Sequence, residues 1–198
     1  MIVRNITIKN KTALTLLNQT LSKDFINGEG SFAKGFEIQD YDYALNLATS
    51  NETLAKHLKF KTPILKLKFN KILGDTEAGK YFSEEMKNLL DYDSFYTSGY
   101  IPRGFDRWHS DSDVTGYAML FSYSEKGDGY FKYRDPITND INTIQDDIGW
   151  MVRGMYYGNK PETTLWHCVV SNCFRVTFIL TFDTEDKYNK AVELLTRV

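Results

Sequence analysis

A chain of 198 residues with a 42% hydrophobic and 15% aromatic share suits one folded domain and excludes a disordered protein. The formal net charge of −2 excludes a bulk attraction to nucleic acid or acidic membranes, and no stretch approaches the roughly 20 apolar residues of a membrane span. The first residues lack the apolar core of a secretory signal. We therefore expect a soluble cytoplasmic protein with a single domain over residues 1–198.

Residues 1–94 predict a mixed α/β region that supports the rest of the chain. The patterns favour, in chain order, a weak strand from Val3 to Ile8, an amphipathic helix from Ala13 to Phe25, a short helix through Leu58, a strand from Ile64 to Leu73 and a helix from Thr76 to Leu90. The short helix is expected to begin at a capping box, Thr49-Ser50-Asn51-Glu52.

The pattern changes to strands from Phe95 onward. Strands are predicted over residues 117–123, 130–133, 144–148, 150–153, 165–170 and 174–182, followed by a C-terminal helix over residues 184–198. We expect 130–133 to return beside 117–123 after a glycine turn, and the last two strands to form a hairpin around Ser171-Asn172. Short antiparallel strands with flanking helices predict a mainly β (α+β) fold, with a cupin-like jelly-roll barrel over residues 95–182 braced on one side.

Two further features have open interpretations. The lysines between Lys56 and Lys71 form a run with no acid between Thr53 and Gly74, which could steer a polyanion or could be a solvated strand edge. Cys168 and Cys173 are expected on opposite strand faces, so two reduced thiols are favoured over a disulfide.

His109-Ser110-Asp111 is the most specific chemical signal in the sequence. Because alternate residues of a strand share a face, His109 and Asp111 would point the same way. His167, from a distant strand, would complete two imidazoles and one carboxylate, the facial set that suits non-haem Fe(II) with open coordination positions. Arg175 follows His167 by eight residues, and an arginine there can hold a carboxylate through two parallel hydrogen bonds. The pattern predicts an enzyme that binds a keto acid and O2.

On these residues the sequence resembles the Fe(II)- and 2-oxoglutarate-dependent oxygenases, over about residues 100–182. The resemblance implies a double-stranded β-helix, Fe(II) held by His109, Asp111 and His167, and 2-oxoglutarate and O2 as cosubstrates. It also implies that Arg175 pairs with the far carboxylate of 2-oxoglutarate, with Thr177 as the hydroxyl residue beside it. The turn over residues 127–130 and the segment 150–153 are similar to the family's glycine hairpin and to its strand before the distal histidine.

Other site residues are less specific. Family members often place a cosubstrate-binding tyrosine where Tyr100 stands, although core packing explains Tyr100 equally well. Substrate contacts are expected at the barrel mouth, where an ion-pair network is the alternative interpretation; the candidates are Arg103, Arg107, Asp113, Arg153 and Tyr156, with Tyr157 beside them.

The layout is similar to that of the prolyl-hydroxylase branch: a tyrosine, the His-x-Asp pair, a glycine turn, and an arginine after the distal histidine. The nucleic-acid demethylase branch has a second arginine where Thr181 stands here. We therefore predict hydroxylation of an aliphatic carbon in a protein side chain or small molecule, with 2-oxoglutarate converted to succinate and CO2. The alternatives are a cupin-like metal protein or oxygenase that does not use 2-oxoglutarate, and a non-catalytic jelly-roll binding module.

Overall fold

The computed structural model describes residues 3–23, 41–60, 68–72, 76–111, 115–158, 160 and 162–198. In chain order these residues form β1 (Val3–Ile6), α1 (Lys11–Thr20), α2 (Tyr41–Thr49), α3 (Asn51–Phe60), β2 (Lys68–Ile72), α4 (Glu77–Leu89), β3 (Ser94–His109), β4 (Gly116–Ser124), β5 (Gly129–Arg134), β6 (Ile141–Gln145), β7 (Gly149–Tyr157), β8 (Trp166–Ser171), β9 (Arg175–Phe182) and α5 (Glu185–Thr196). No helix in the described part of the chain is long and apolar enough to cross a membrane.

The strands form two antiparallel layers that share β3. Residues 94–100 of β3 pair with β9, which continues to β4 and β7, and β1 pairs with the edge of β7. Residues 104–109 of β3 pair with β8, which continues to β5 and β6, while β2 runs along β3. Strands β7, β8 and β9 therefore alternate between the layers, and this order confirms the predicted jelly roll, a double-stranded β-helix.

A sharp bend in β3 carries the chain from one layer to the other. Arg103 has a positive φ of 64°, and pairing changes from β9 to β8 across residues 101–103. Gly104 follows the bend, where an added Cβ would lie 2.7 Å from the Cβ of Tyr100. Glycine is required there because backbone and side chain approach too closely for any other residue.

Helices cover the outer faces of both layers. One core cluster joins α1, α4 and α5 to the outward side chains of β4 and β9. In it, Phe82 of α4 packs on Phe121 of β4 and Phe178 of β9. On the other layer, Ala44 and Ala48 of α2 pack on Phe105, and Leu54 of α3 packs near Trp108 and the free thiol Cys168. The expectation of bracing on one side is therefore wrong, since apolar residues point outward from both layers.

Neither predicted hairpin forms. β5 pairs with β6 and β8 rather than with β4, so the glycine turn over residues 125–128 crosses between the layers. β8 and β9 lie on opposite sides of β3. Alternation along a strand reports which side chains share a face, but it does not report which strand lies alongside, and here the jelly-roll crossover determines the partner.

Several element ends differ from the sequence pattern. α1 ends at Thr20, before the predicted Phe25, and β7 continues past Arg153 to Tyr157. Ser50, not Thr49, caps α3, because its Oγ accepts from the backbone N–H of Thr53. The predicted strand 64–73 is described only over 68–72. Lys56, the first residue of the lysine run, forms an ion pair with Glu52. The helices α4 and α5 are confirmed, with Thr76 and Thr184 as their capping residues.

Candidate metal centre

Two histidines face each other across the paired strands β3 and β8. His109 and His167 are register partners, and their ring centroids are 4.2 Å apart. A register shift between Asp106 and His109 turns the end of β3, so that His109 points into the barrel. Asp111 lies two residues beyond His109, with its carboxylate oxygens 3.9 Å from Nε2 of His109 and 3.6 Å from Nε2 of His167. The three ligand atoms lie within 4.8 Å of one another.

Backbone carbonyls orient both imidazole rings. Nδ1 of His109 lies 2.6 Å from the carbonyl oxygen of Arg107, and Nδ1 of His167 lies 3.3 Å from that of Leu165. When each Nδ1–H donates to its carbonyl, each Nε2 lone pair faces the shared space. Metal-binding histidines in proteins are commonly fixed in this way.

Burial and a tyrosine determine the charges of the centre. Burial, with the charge of neighbouring His109 adding to it, lowers the pKa of His167 to about 4, so its imidazole is neutral at pH 7. The hydroxyl of Tyr157 is hydrogen-bonded to Asp111, and burial beside that carboxylate raises the pKa of Tyr157 well above its usual value. Tyr157 therefore stays a neutral donor that helps to hold Asp111.

The three side chains fit a divalent transition metal. Two imidazoles and one carboxylate form a facial triad, the set that non-haem Fe(II) uses with other positions left open. Asp111 is the most exposed ligand, with 35% of its side chain accessible, so the site opens on its side. Buried Asp106 lies 3.9 Å from Nε2 of His109 and is an additional negative charge behind the triad.

The predicted cosubstrate residues line the same cavity as the metal triad. Tyr100, Arg175 and Thr177 contribute to its wall together with Phe131 and Tyr157. Arg175 and Thr177 occupy inward positions of β9, while Val176 and Phe178 between and after them point to the helices. The structure therefore places the triad in one cavity with Tyr100 of β3 and with Arg175 and Thr177 of β9.

Arg175 is held by three side chains in the barrel interior. Its Nε donates to Asp146 at 2.8 Å, its Nη1 donates to Thr177 at 2.9 Å, and its Nη2 lies 3.5 Å from Oγ of Ser122. Oγ of Ser122 and Oγ1 of Thr177 are themselves hydrogen-bonded at 2.9 Å. This arrangement fixes a charged guanidinium at the cavity wall.

Arg153 does not lie at the mouth of the barrel, where the sequence placed it. It is only 1% exposed, and its Nη2 donates to the second oxygen of Asp146 at 3.0 Å. Arg153 pairs in register with Leu120, which lines the cavity, and its guanidinium lies 5.9 Å from the ring centroid of Phe131. An alternating strand puts Arg153, Met155 and Tyr157 on the inward face of β7.

The remaining substrate candidates lie away from this cavity or outside the described residues. Arg103 packs over the ring of Tyr41 at 4.0 Å, on the outer face covered by α2. Tyr156 points away from the metal and packs on Tyr117, with ring centroids 5.0 Å apart. Arg107 is buried, with Nη1 3.7 Å from Asp106, and does not line the cavity. Asp113 lies outside the described residues.

Sequence reasoning missed Asp146 and Ser122. Asp146 follows β6 directly, and its partners Arg153 and Arg175 are 7 and 29 residues away, so no local pattern marks it. Ser122 stands on the same face of β4 as Leu120, and alternation could have identified it once the inward face was known.

Several solved structures are distantly similar to this chain. No protein-family model and no curated protein matches the chain. A prolyl-4-hydroxylase structure from Pseudomonas putida is 13% identical, over 86% of this chain and 98% of that one, with a TM-score of 0.38. A viral collagen prolyl hydroxylase from Paramecium Bursaria Chlorella virus-1 is 13% identical, over 79% and 98%, with a TM-score of 0.32.

A third structure is an oxidoreductase of the 2OG-Fe(II) oxygenase family from Burkholderia pseudomallei. It is 15% identical over 55% of this chain, with a TM-score of 0.36, and this chain covers about half, 52%, of its length. These identities and TM-scores are low, so the fold and the site are established by the strand order and the side-chain geometry described above.

Proposed function

We propose that this protein is an Fe(II)- and 2-oxoglutarate-dependent dioxygenase that hydroxylates an aliphatic carbon of a protein side chain or small molecule. One observation supports it above all others: a two-histidine, one-carboxylate triad and a buried arginine line a single cavity. A metal alone would not require the arginine. A keto acid that chelates the metal and ends in a second carboxylate requires both.

The chain's residues would divide the work between the two ends of the cosubstrate. His109, Asp111 and His167 would hold Fe(II) and leave adjacent positions free. The bound Fe(II) would supply the oxidation, in which 2-oxoglutarate and O2 become succinate and CO2 and one oxygen atom enters a substrate C–H bond. Arg175 would bind the far carboxylate, with Thr177 fixing the guanidinium at 2.9 Å. Tyr100, only 1% exposed on the cavity wall, would limit how the cosubstrate lies.

The second candidate is a cupin-like metal protein that does not use 2-oxoglutarate. It would need the triad but not a charged group elsewhere in the cavity. Arg175 lines the same cavity as the triad, and its bonds to Asp146, Thr177 and Ser122 occupy three of its five N–H donors. The remaining donors can hold a second carboxylate, which favours the keto-acid function over this alternative.

The decisive experiment measures keto-acid chelation directly. Protein loaded anaerobically with Fe(II) is titrated with 2-oxoglutarate, and we expect the weak visible absorption band of a chelated keto acid. His109→Ala and Asp111→Ala should abolish it by removing a ligand, whereas His57→Ala, at the histidine outside the triad, should not. Metal binding without the band would favour the cupin-like protein, and no metal binding would favour a binding module.

A second measurement addresses Arg175 and the acceptor. Arg175→Ala should weaken 2-oxoglutarate binding by roughly ten- to hundredfold, the worth of a charge-assisted bidentate pair. Succinate release should then be compared with pools of peptides, amino acids and nucleotides. Stimulation by the peptide or amino-acid pool would support the proposed acceptor, and stimulation by nucleotides alone would contradict it.

A further inference from the structure

Behind Arg175 of the cavity wall, the barrel interior holds a second buried guanidinium, Arg153, and both share one carboxylate. Arg153 and Arg175 are each 1% exposed, and both bond to opposite oxygens of Asp146, which is 5% exposed. These three buried groups alone have a net charge of one positive unit, while the carboxylate of Asp147, whose charge also acts on Arg153, is exposed to solvent. Burying an uncompensated charge in a protein interior is costly, so this cluster is suited to a monoanionic group that completes it.

Arg153 has donors to spare. Among the described residues, neither its Nε nor its Nη1 has a hydrogen-bond partner, although the side chain is buried inside the barrel. Its Nη2 is occupied by Asp146, the carbonyl of Gln145 at 3.3 Å and Sδ of Met151 at 3.4 Å. Buried donors in native proteins are normally satisfied, so the unused N–H groups of Arg153 add to the unmet positive charge of this cluster.

The metal end of the cavity has the same charge excess, because the buried charges of Asp106 and Arg107 lie 3.7 Å apart and offset each other. A divalent ion held by Asp111 and two neutral imidazoles also has a net charge of one positive unit. A linear dianion with a carboxylate at each end would neutralise both. Without Arg153, Arg175 and Asp146 would form a neutral pair. The far end of the cavity would then bind an anion through hydrogen bonds alone, with no net positive charge to attract it.

We propose that Arg153 is a specificity-determining residue, which supplies the excess positive charge that selects a dicarboxylic over a monocarboxylic keto acid, with Asp146 as the shared counter-ion. This inference rests on the proposed function and deepens it. Arg175 orients the far carboxylate through its fixed guanidinium, whereas Arg153 determines whether that end of the cavity is positive at all.

The test compares two keto acids that differ only at the far end. Protein loaded with Mn(II) is titrated by calorimetry with 2-oxoglutarate and with 2-oxopentanoate, which ends in a methyl group, and the ratio of the two Kd values is the readout. Arg153→Gln should lose roughly ten- to hundredfold of the preference for 2-oxoglutarate. Arg153→Lys retains the charge and should keep the preference. Arg103→Gln makes the same change of net charge on the outer face and should leave the ratio unchanged.

A double variant separates charge from packing. In Asp146→Asn with Arg153→Gln, only the charge of Arg175 remains, so the cluster regains one positive unit and part of the lost preference should return. A structural defect would instead accumulate in the double variant. Mn(II) affinity and thermal unfolding are measured for every variant to confirm that each one is folded.

The outcomes separate this inference from the proposed function. Wild-type protein that binds Mn(II) but neither keto acid would contradict the function, and the inference with it. Wild-type protein that prefers 2-oxoglutarate while Arg153→Gln keeps the same ratio would overturn only the inference. An equal loss in Arg153→Lys and Arg153→Gln would overturn it too. If Arg153→Gln does not fold, Arg153→Lys is compared with Arg103→Gln instead. A retained preference for 2-oxoglutarate in Arg153→Lys supports the proposal, and a lost preference refutes it.

Discussion

Nε of Arg175 lies 2.8 Å from a carboxylate oxygen of Asp146 inside the barrel, where both side chains are buried. The other oxygen of Asp146 accepts from Arg153 at 3.0 Å. One carboxylate therefore joins β7 to β9 through two guanidiniums, in the space between the layers. A buried charge pair contributes little compared with apolar packing, but removing one partner leaves the other charge uncompensated.

Asp146→Asn should therefore destabilise the protein strongly. The amide carries no charge, and its NH2 group would face one of the two guanidiniums, so two buried positive charges remain without a counter-ion. We expect a loss of about 3–5 kcal/mol in the free energy of unfolding. Urea unfolding followed by circular dichroism measures it. The matched control is Asp140→Asn, at an exposed aspartate away from this cluster, where a change within about 0.5 kcal/mol is expected. Similar losses in the two variants would contradict a structural role for Asp146.

The metal ligands could be predicted from sequence because their signal is partly local. His109 and Asp111 are two residues apart in a strand-like segment, and the chain has only three histidines. The inward positions of Arg175 and Thr177 follow from the same alternation along one strand. In each of these cases the side-chain face is determined by the strand's own geometry, whatever its neighbours are.

Features that depend on strand neighbours could not be predicted in this way. Asp146 lies in the short connection after β6, and its role depends on Arg153 of β7 and Arg175 of β9 both reaching it, although β4 separates these two strands. The expected pairing of β8 with β9 was wrong for the same reason, since β3 lies between them. Arg153 was recognised as a candidate but placed at the mouth, because alternation does not tell the inside of a barrel from its rim.

Tyr157→Phe should weaken metal binding without unfolding the protein. The hydroxyl of Tyr157 is hydrogen-bonded to Asp111, and its loss frees the carboxylate to rotate away from the two imidazoles. Losing a group that orients a metal ligand typically costs about 10- to 100-fold in metal affinity. A competition titration of Mn(II) against a chelator measures the change. The control is Tyr156→Phe, at the preceding residue on the opposite face of β7, which should bind Mn(II) like the wild type. Equal Mn(II) affinities in the wild type and both variants would show that Tyr157 does not support the metal centre.

Thr177→Val should affect cosubstrate binding and leave metal binding intact. Valine has the same shape but cannot accept the hydrogen bond from Nη1 of Arg175 or bond with Ser122. The guanidinium of Arg175 loses a hydrogen bond worth about 1 kcal/mol that orients it, so the Kd for 2-oxoglutarate should rise by roughly three- to tenfold. Thr181→Val is the matched control on the same strand, since the Oγ1 of Thr181 makes only a long 3.5 Å bond to the carbonyl of Ser94. A Kd that rises equally in both variants would show a general effect on β9 instead.

The metal-free protein should lose stability as the pH falls from about 6.5 to about 4 because of His167. Burial lowers its folded-state pKa to about 4, below the ordinary 6.5 of a histidine, so between these values the unfolded chain binds a proton that the folded chain does not. The contribution is intact above pH 6.5, declines as the pH falls, and is fully lost below about pH 4. A shift of this size corresponds to about 3 kcal/mol.

Urea unfolding of chelator-treated protein at pH 7.5, 6, 5 and 4 measures the effect, and His167→Gln provides the reference because glutamine does not titrate. The difference in unfolding free energy between wild type and variant should shrink steadily towards low pH, while acid-sensitive carboxylates elsewhere act on both proteins alike. A difference that stays constant across this range would mean that the His167 imidazole is protonated as easily in the folded protein as in the unfolded chain.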